Sequence, residues 1–350
     1  MSRNRRRRPL RALPVLCLFV LASCAPRPAA EYAPTVPEAH LQTLYVATQK
    51  ALDHTGWTFG AKRTGQMRYF RADISIPPTH RAGHVEWPDG PPDAATDFVV
   101  TATDVYPSSG AFFGDVKAAR PGRETQVFVH GYNVTLSDGL YRLAQMREDF
   151  EVAEPSVLFA WASAGDPRGY VYDRDSVLYA RDDLEDLLNA LTSGPQDRVT
   201  LLAHSMGSQL VMEVMRQAAL KGDRQLLDRI SGVVLMSPDI DPDVFRRQAE
   251  AIGDLPQPFL IFVTQQDRAL SLASLITGRK KRLGVIDGPE AVAGLPVKVI
   301  DFTALADGEG LDHAVAITSP SAISVLNGML EQASLGREAF EDYMVLEAQP

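Results

Sequence analysis

The chain has 350 residues, 45% hydrophobic and 23% charged, which are ordinary globular proportions and exclude wholesale disorder, collagen and coiled coil. Its formal net charge is −9. Six arginines and no acid lie in residues 1–23, so the remainder carries −15. Such a body is repelled by a phosphate backbone, which argues against a nucleic-acid role.

Residues 3–11 are arginine-rich, and 12–22 read ALPVLCLFVLA. That apolar run is too short to cross a bilayer, which takes about 20 residues. A charged start, a short apolar stretch and small residues after it describe an export signal over 1–23. Leu21-Ala22-Ser23-Cys24 resembles the lipobox of bacterial lipoproteins. The resemblance implies cleavage before Cys24, more than one acyl chain on that cysteine, and a place on the cell envelope. Ala25 implies the outer membrane, on its periplasmic face. With Cys17 lost in the signal, no cysteine pair remains for a disulfide.

Residues 24–38, rich in Pro and Ala, read as a tether. Residues 39–120 form an N-terminal extension packed on the core, either an extra sheet edge or a cover over the site. They hold a strand-like run at Phe98-Val99-Val100-Thr101 and a WPDGPPDAA loop at 87–95. From 121 to 340 short apolar runs alternate with helical stretches. The runs are 126–132, 156–162, 199–205, 232–237, 258–264 and 296–303. Helices are predicted near 135–151, 175–192, 206–220, 242–252 and 320–334. This rhythm predicts an α/β fold with a mostly parallel sheet covered by helices on both faces. Ligands in such sheets bind beyond the carboxyl ends of the strands.

One predicted strand ends in Ala203-His204-Ser205-Met206-Gly207 and runs straight into a helix. This is the G-x-S-x-G nucleophile elbow with Ala in its first position. A sharp strand-to-helix turn brings backbones together, so the positions flanking the serine must be small. The turn raises the Ser205 hydroxyl and sets the Met206 N–H at a helix start, where it can bind a developing oxyanion. An earlier strand ends in Val129-His130-Gly131-Tyr132-Asn133. This stretch resembles the oxyanion loop of the α/β-hydrolase superfamily, which implies the Tyr132 N–H as second donor. His130, Gly131 and Trp161 are candidate pocket residues.

A serine needs a base. Of seven histidines only His313 follows Ser205, in a loop before the last helix. This fold orders its triad Ser, acid, His. The acid is Asp267 after the 258–264 strand, or Asp239 or Asp241 after the strand before; Asp312 is too close in sequence to His313. Asp173 or Asp175 reads as a helix N-cap. Arg279-Lys280-Lys281-Arg282 could attract anionic headgroups, although such runs are more often simply solvated. His80 and His84 lack a third metal ligand nearby, and no metal or nucleotide motif is present.

Several stretches resemble a bacterial esterase/lipase-like branch of the α/β-hydrolases of unknown function: VFVHGYN at 127–133, FAWASAG at 159–165, YDRDSVLYARDDLEDLL at 172–188, LLAHSMGSQLVMEVMR at 201–216, MSPDIDPDVF at 236–245 and DRAL at 267–270. The resemblance implies serine-hydrolase chemistry with no metal or organic cofactor. The expected partners are a small-molecule or lipid ester and, through Cys24, a membrane. Acyl transfer, amide or thioester hydrolysis on the same triad, or a non-catalytic envelope scaffold, are the alternatives.

Overall fold

A computed structural model of the chain describes residues 29–52, 59–278, 280–306, 312–334 and 343–346. The export signal and Cys24 lie outside them. Strands are β1 (His40–Leu52), β2 (Phe59–Ile76), β3 (Val99–Val105), β4 (Glu124–Val129), β5 (Ser156–Ala160), β6 (Arg198–His204), β7 (Ile230–Met236), β8 (Phe259–Val263), β9 (Lys298–Asp301) and β10 (Tyr343–Val345). They join one sheet in the order β10-β9-β8-β7-β6-β4-β5-β1-β2-β3. Every pairing from β10 to β1 is parallel, and only β1–β2 and β2–β3 are antiparallel.

Besides a single turn at Arg224–Leu227, the helices are α1 (Ser109–Ala118), α2 (Leu136–Asp149), α3 (Tyr170–Tyr179), α4 (Arg181–Leu191), α5 (Met206–Lys221), α6 (Pro242–Ile252), α7 (Arg268–Ile276), α8 (Val315–Thr318) and α9 (Pro320–Ser334). Several start where the chemistry requires. Thr135 and Asp138 form a reciprocal capping box on α2, and Asp241 caps α6 ahead of Pro242. The single helix predicted near 175–192 is two, with Ala180 as C-cap of α3 and N-cap of α4.

Both faces of the sheet are covered. Tyr45 and Ala47 join one core with α3, α4 and α5, while Leu44 and Val46 join the other with α2 and α9. That split is the two-residue alternation of a strand. The central strands β5 and β8 are buried along their whole length, so their near-continuous apolar runs are legible as parallel strands.

Residues 40–105 extend this same sheet by three strands, β1 being inserted in parallel beside β5. The stretch expected to be a free tether is partly docked. The Ala33 amide donates to the Val100 carbonyl of β3, the Val100 amide donates to the Glu31 carbonyl, and the Ala30 amide donates to Ser137 Oγ at 3.0 Å. Backbone donors satisfied this way hold residues 30–33 against the body.

Candidate active site

Ser205 is the N-cap of α5, at φ 52° and ψ −118°. A non-glycine residue there costs of order 1–3 kcal/mol, so its surroundings must impose it. They do. The Ser205 amide donates to the Met236 carbonyl at 2.9 Å, and its carbonyl accepts from Ser208 and Asp239 amides. Asn133, Ser237 and Asp312 also have positive φ. With Ser205 they cluster where β4, β6, β7 and the His313 loop converge.

The small residues of the elbow are small because backbone passes there. A Cβ on Gly207 would lie 2.4 Å from the carbonyl oxygens of both Val129 and His130. A Cβ on Gly131 would lie 2.9 Å from Ser205 Cβ and from His204 Nδ1. The ends of β4 and β6 are therefore in contact, which brings the Tyr132 turn beside the start of α5. Met206, first residue of α5, has an amide with no acceptor inside its own helix.

Asp267 is fully buried and caps α7, where its Oδ1 accepts from the Leu270 amide at 2.8 Å. Its Oδ2 lies 2.6 Å from His313 Nδ1. The carboxylate thus fixes that nitrogen as the donor and turns Nε2 outward. The His313 side chain keeps 20% exposure. Its ring sits 4.7 Å from that of His204, the residue before Ser205, and His204 Nε2 donates to the His313 carbonyl at 3.1 Å. Among the described residues no hydrogen bond joins Ser205 to His313. Such contacts commonly tighten only once substrate is bound.

The structure separates the aspartates that could serve as the acid. Asp239 is buried against Arg282, with Oδ1 to Nε at 3.0 Å, and accepts from the Tyr170 hydroxyl at 2.9 Å. Asp241 caps α6. Asp312 lies 3.9 Å from Arg268. Only Asp267 meets the imidazole of His313.

His130 and Trp161 need correction as pocket residues. Trp161 is wholly enclosed, its indole N–H donates to the His130 carbonyl at 2.8 Å, and the two rings stack at 4.8 Å. His130 is 2% exposed and its Nδ1 donates to the Gly131 carbonyl. Both lie beneath the turn and support it, so neither walls an acyl channel. Burial, with Lys50 adding to it, lowers the His130 pKa to about 3. Burial, with His313 adding to it, does the same for His204. Both stay neutral.

The basic run is not a free patch either. Lys280 pairs with Asp243 at 2.9 Å, Lys281 with Asp287 at 2.5 Å, and Arg282 with Asp239; Arg279 lies outside the described residues. Asp173 is not an N-cap, since Gly169 holds that place and Asp173 is buried inside α3. Its carboxylate accepts from the amides of Asn133 at 3.0 Å and Ala164 at 2.6 Å and from the Ser163 hydroxyl at 2.7 Å. His80, one of the weak metal candidates, sits between Glu86 and Asp149 at 2.8 and 3.0 Å.

Lys50 and Ser163 are the site-supporting residues that the sequence reading missed, and Asp173 was noticed but given a capping role. A lysine inside an otherwise apolar or β-prone run, LYVATQKAL at 44–52, is the signal that could have flagged the first.

A parallel sheet, an elbow serine at the end of a central strand and a histidine–carboxylate pair on the neighbouring loops define one architecture. The family described as alpha/beta hydrolase of unknown function (DUF900) matches residues 111–329. The chain belongs to this family. No curated protein matches the sequence significantly. Among solved structures, dienelactone hydrolase from Anabaena variabilis shares 12% identity, with 80% of this chain and 97% of that one covered, at TM-score 0.37. Esterase B from Lactobacillus rhamnosis shares 15%, covering 86% and 88%, at TM-score 0.38. Carboxyl esterase 2 from Tuber melanosporum shares 11%, covering 93% and 99%, also at 0.38. DUF900 membership places the chain among the α/β-hydrolases, with the mostly parallel sheet and flanking helices of that fold.

Proposed function

We propose that this protein is a serine hydrolase of carboxylic esters, working through Ser205, His313 and Asp267. The observation that carries the reading is the 2.6 Å pair between Asp267 Oδ2 and His313 Nδ1, held beside the elbow by the His204 contact. Ser205 Oγ attacks the ester carbonyl carbon while His313 Nε2 takes its proton. Asp267 keeps Nδ1 protonated and stabilises the imidazolium. The carbonyl oxygen, now negative, is received by the amides of Tyr132 and Met206. Collapse expels the alcohol, which takes the proton back from Nε2. Water, deprotonated by the same nitrogen, then releases the acid from the acyl-enzyme.

The substrate is a small-molecule or lipid ester, delivered at the envelope surface where acylated Cys24 holds the enzyme. Two or more acyl chains make such an anchor stable. Among the described residues no helix is long and apolar enough to cross a membrane.

A fluorophosphonate probe should label the full chain at Ser205, and Ser205→Ala should abolish the label. Labelling that survives this substitution, or that maps elsewhere, refutes the assignment.

A further inference from the structure

Lys50 is an expensive residue to keep. It is 1% exposed, in β1, a strand whose register against β2 shifts on both sides of it. Such irregularities re-aim a side chain. An ammonium taken out of water costs several kcal/mol unless its donors are met. Here the Nζ donates to the Ser163 carbonyl at 2.8 Å and reaches the Val134 carbonyl at 3.4 Å.

Both acceptors belong to the turn that follows β4 and the loop that faces it. The Val134 amide donates to Ser163 Oγ at 3.1 Å, and Ser163 Oγ donates to Asp173. Asp173 also takes the amides of Asn133 and Ala164. Asn133 carries the left-handed φ of 60°. The turn that presents the Tyr132 amide is therefore gripped from two sides. A buried cation ties the Val134 carbonyl of the turn to the Ser163 carbonyl of the facing loop, and a buried carboxylate ties the Asn133 amide to the Ala164 amide. A strained turn needs such a grip to keep its shape.

We propose that Lys50 is a positioning residue for the anion site, its ammonium fixing the 131–134 turn so that the Tyr132 amide meets the developing oxyanion. The inference rests on the hydrolase reading above and adds a residue from outside the DUF900 match, which begins at 111. The alternative, a lysine that serves folding alone, would leave the reaction's dependence on pH untouched.

The charged and titratable groups facing Lys50 are Asp173 on α3, Asp138 on α2 and His130 at the end of β4. Burial lowers the lysine's pKa to about 8, against the pull of the two aspartates. His130 stays neutral throughout. The grip is thus charged at neutral pH and loses its charge in the alkaline range.

The test is the second-order rate of fluorophosphonate labelling at Ser205 of the full chain, from pH 6 to 10. The wild type should lose several-fold in rate with a midpoint near 8. Lys50→Met should label about 10–100-fold more slowly at pH 7, a loss of the size that small misplacements produce, and should show no further decline at that midpoint. Lys50→Arg, charged throughout, should recover rate at pH 9 relative to Lys50→Met. Wild-type labelling at Ser205 combined with an unchanged rate and pH profile in Lys50→Met overturns the proposal while leaving the hydrolase reading intact. Absence of Ser205 labelling in the wild type overturns the hydrolase reading instead. If Lys50→Met does not fold, a wild-type rate that stays level from pH 7 to 9.5 overturns the proposal by itself.

Discussion

Stability between pH 6.5 and 9 should be governed by His80 acting against three groups of opposite sign, Lys50, His130 and His204. His80 is 11% exposed and lies between two carboxylates. Burial lowers its pKa, but hydrogen bonds to Asp149 and Glu86 outweigh that and raise it from 6.5 to about 9. The folded state then binds a proton that the unfolded chain releases above 6.5. The stabilisation, about 3 kcal/mol from a shift of that size, is complete well below 6.5 and is lost as pH climbs through 9. The lowered pKa values of Asp149 and Glu86 describe the same contacts and are not added. Lys50 acts in reverse. Its folded pKa is about 8 against 10.5 unfolded, so its penalty is relieved as pH rises past 8. From pH 6.5 to 8 His80 removes about 1.5 kcal/mol, while Lys50, His130 and His204 each return about 0.4, a net loss of only about 0.4 kcal/mol. From 8 to 9 His80 and Lys50 nearly cancel, giving a plateau. His130 and His204, with folded pKa values of about 3 against 6.5 unfolded, still bind protons in the unfolded chain at pH 6.5, so each returns about 0.4 kcal/mol by pH 8 and adds little above that. Urea unfolding of wild type and His80→Gln at pH 6.5, 7.2, 8.0 and 9.0 checks this. The variant should start less stable and gain about 1 kcal/mol from 6.5 to 8. A variant whose stability changes with pH as the wild type's does over that interval refutes the reasoning.

The two buried aspartates give a second contrast. Asp267→Asn should lower kcat by about 10³–10⁴-fold with little change in KM, because the wrong imidazole tautomer is then held. Asp239→Asn leaves Arg282 buried without its counter-charge and should cost about 3–5 kcal/mol of stability, while Ser205 still labels at low temperature. The opposite pattern in calorimetry and labelling would assign the acid to Asp239. Gly207→Ala drives a methyl to 2.4 Å from two carbonyl oxygens of fixed backbone. It should cost at least about 2 kcal/mol and abolish labelling; a well-folded, active variant would show that β4 and α5 are not in contact as described.

Legibility in the sequence followed locality. The elbow at 203–207 and the buried runs of β5 and β8 are local patterns, in which small residues and apolar continuity state their own cause. His313 was found by elimination, since chain order left no other base. Asp267 stayed one of three because Asp239 and Asp241 follow an equivalent strand. What separates them is Arg282, from a run that looks like a solvated patch until Asp239 is seen to neutralise it. Trp161 failed for a related reason: a strand-end aromatic can wall a pocket or fill the core, and only its contact with the His130 carbonyl decides. Strand β1 was missed because its polar TQK stretch interrupts the apolar pattern, and that interruption is where Lys50 turns inward.

The position of the missed residues carries an argument about residues 40–105. Lys50 in β1 holds the turn beside Tyr132. On the other side of the site, Gly83, with φ 85° and its Cα packed on the Thr318 carbonyl, presses the 77–86 segment against α8, just after His313. Asp149 ties that segment down by accepting from the Gly83 amide at 2.7 Å and from His80. Gln145, one turn earlier on α2, donates to the Ile317 carbonyl of α8 at 3.2 Å. Both loops proposed to handle charge in the reaction are therefore braced by chain that precedes residue 111, through buried ionic groups whose removal one at a time leaves an uncompensated charge. A hydrolase core cut at residue 111 would lose the braces on the oxyanion turn and on the base together. The first three strands are thus part of what shapes the site, and substitutions in them should reach the chemistry at Ser205 without touching substrate.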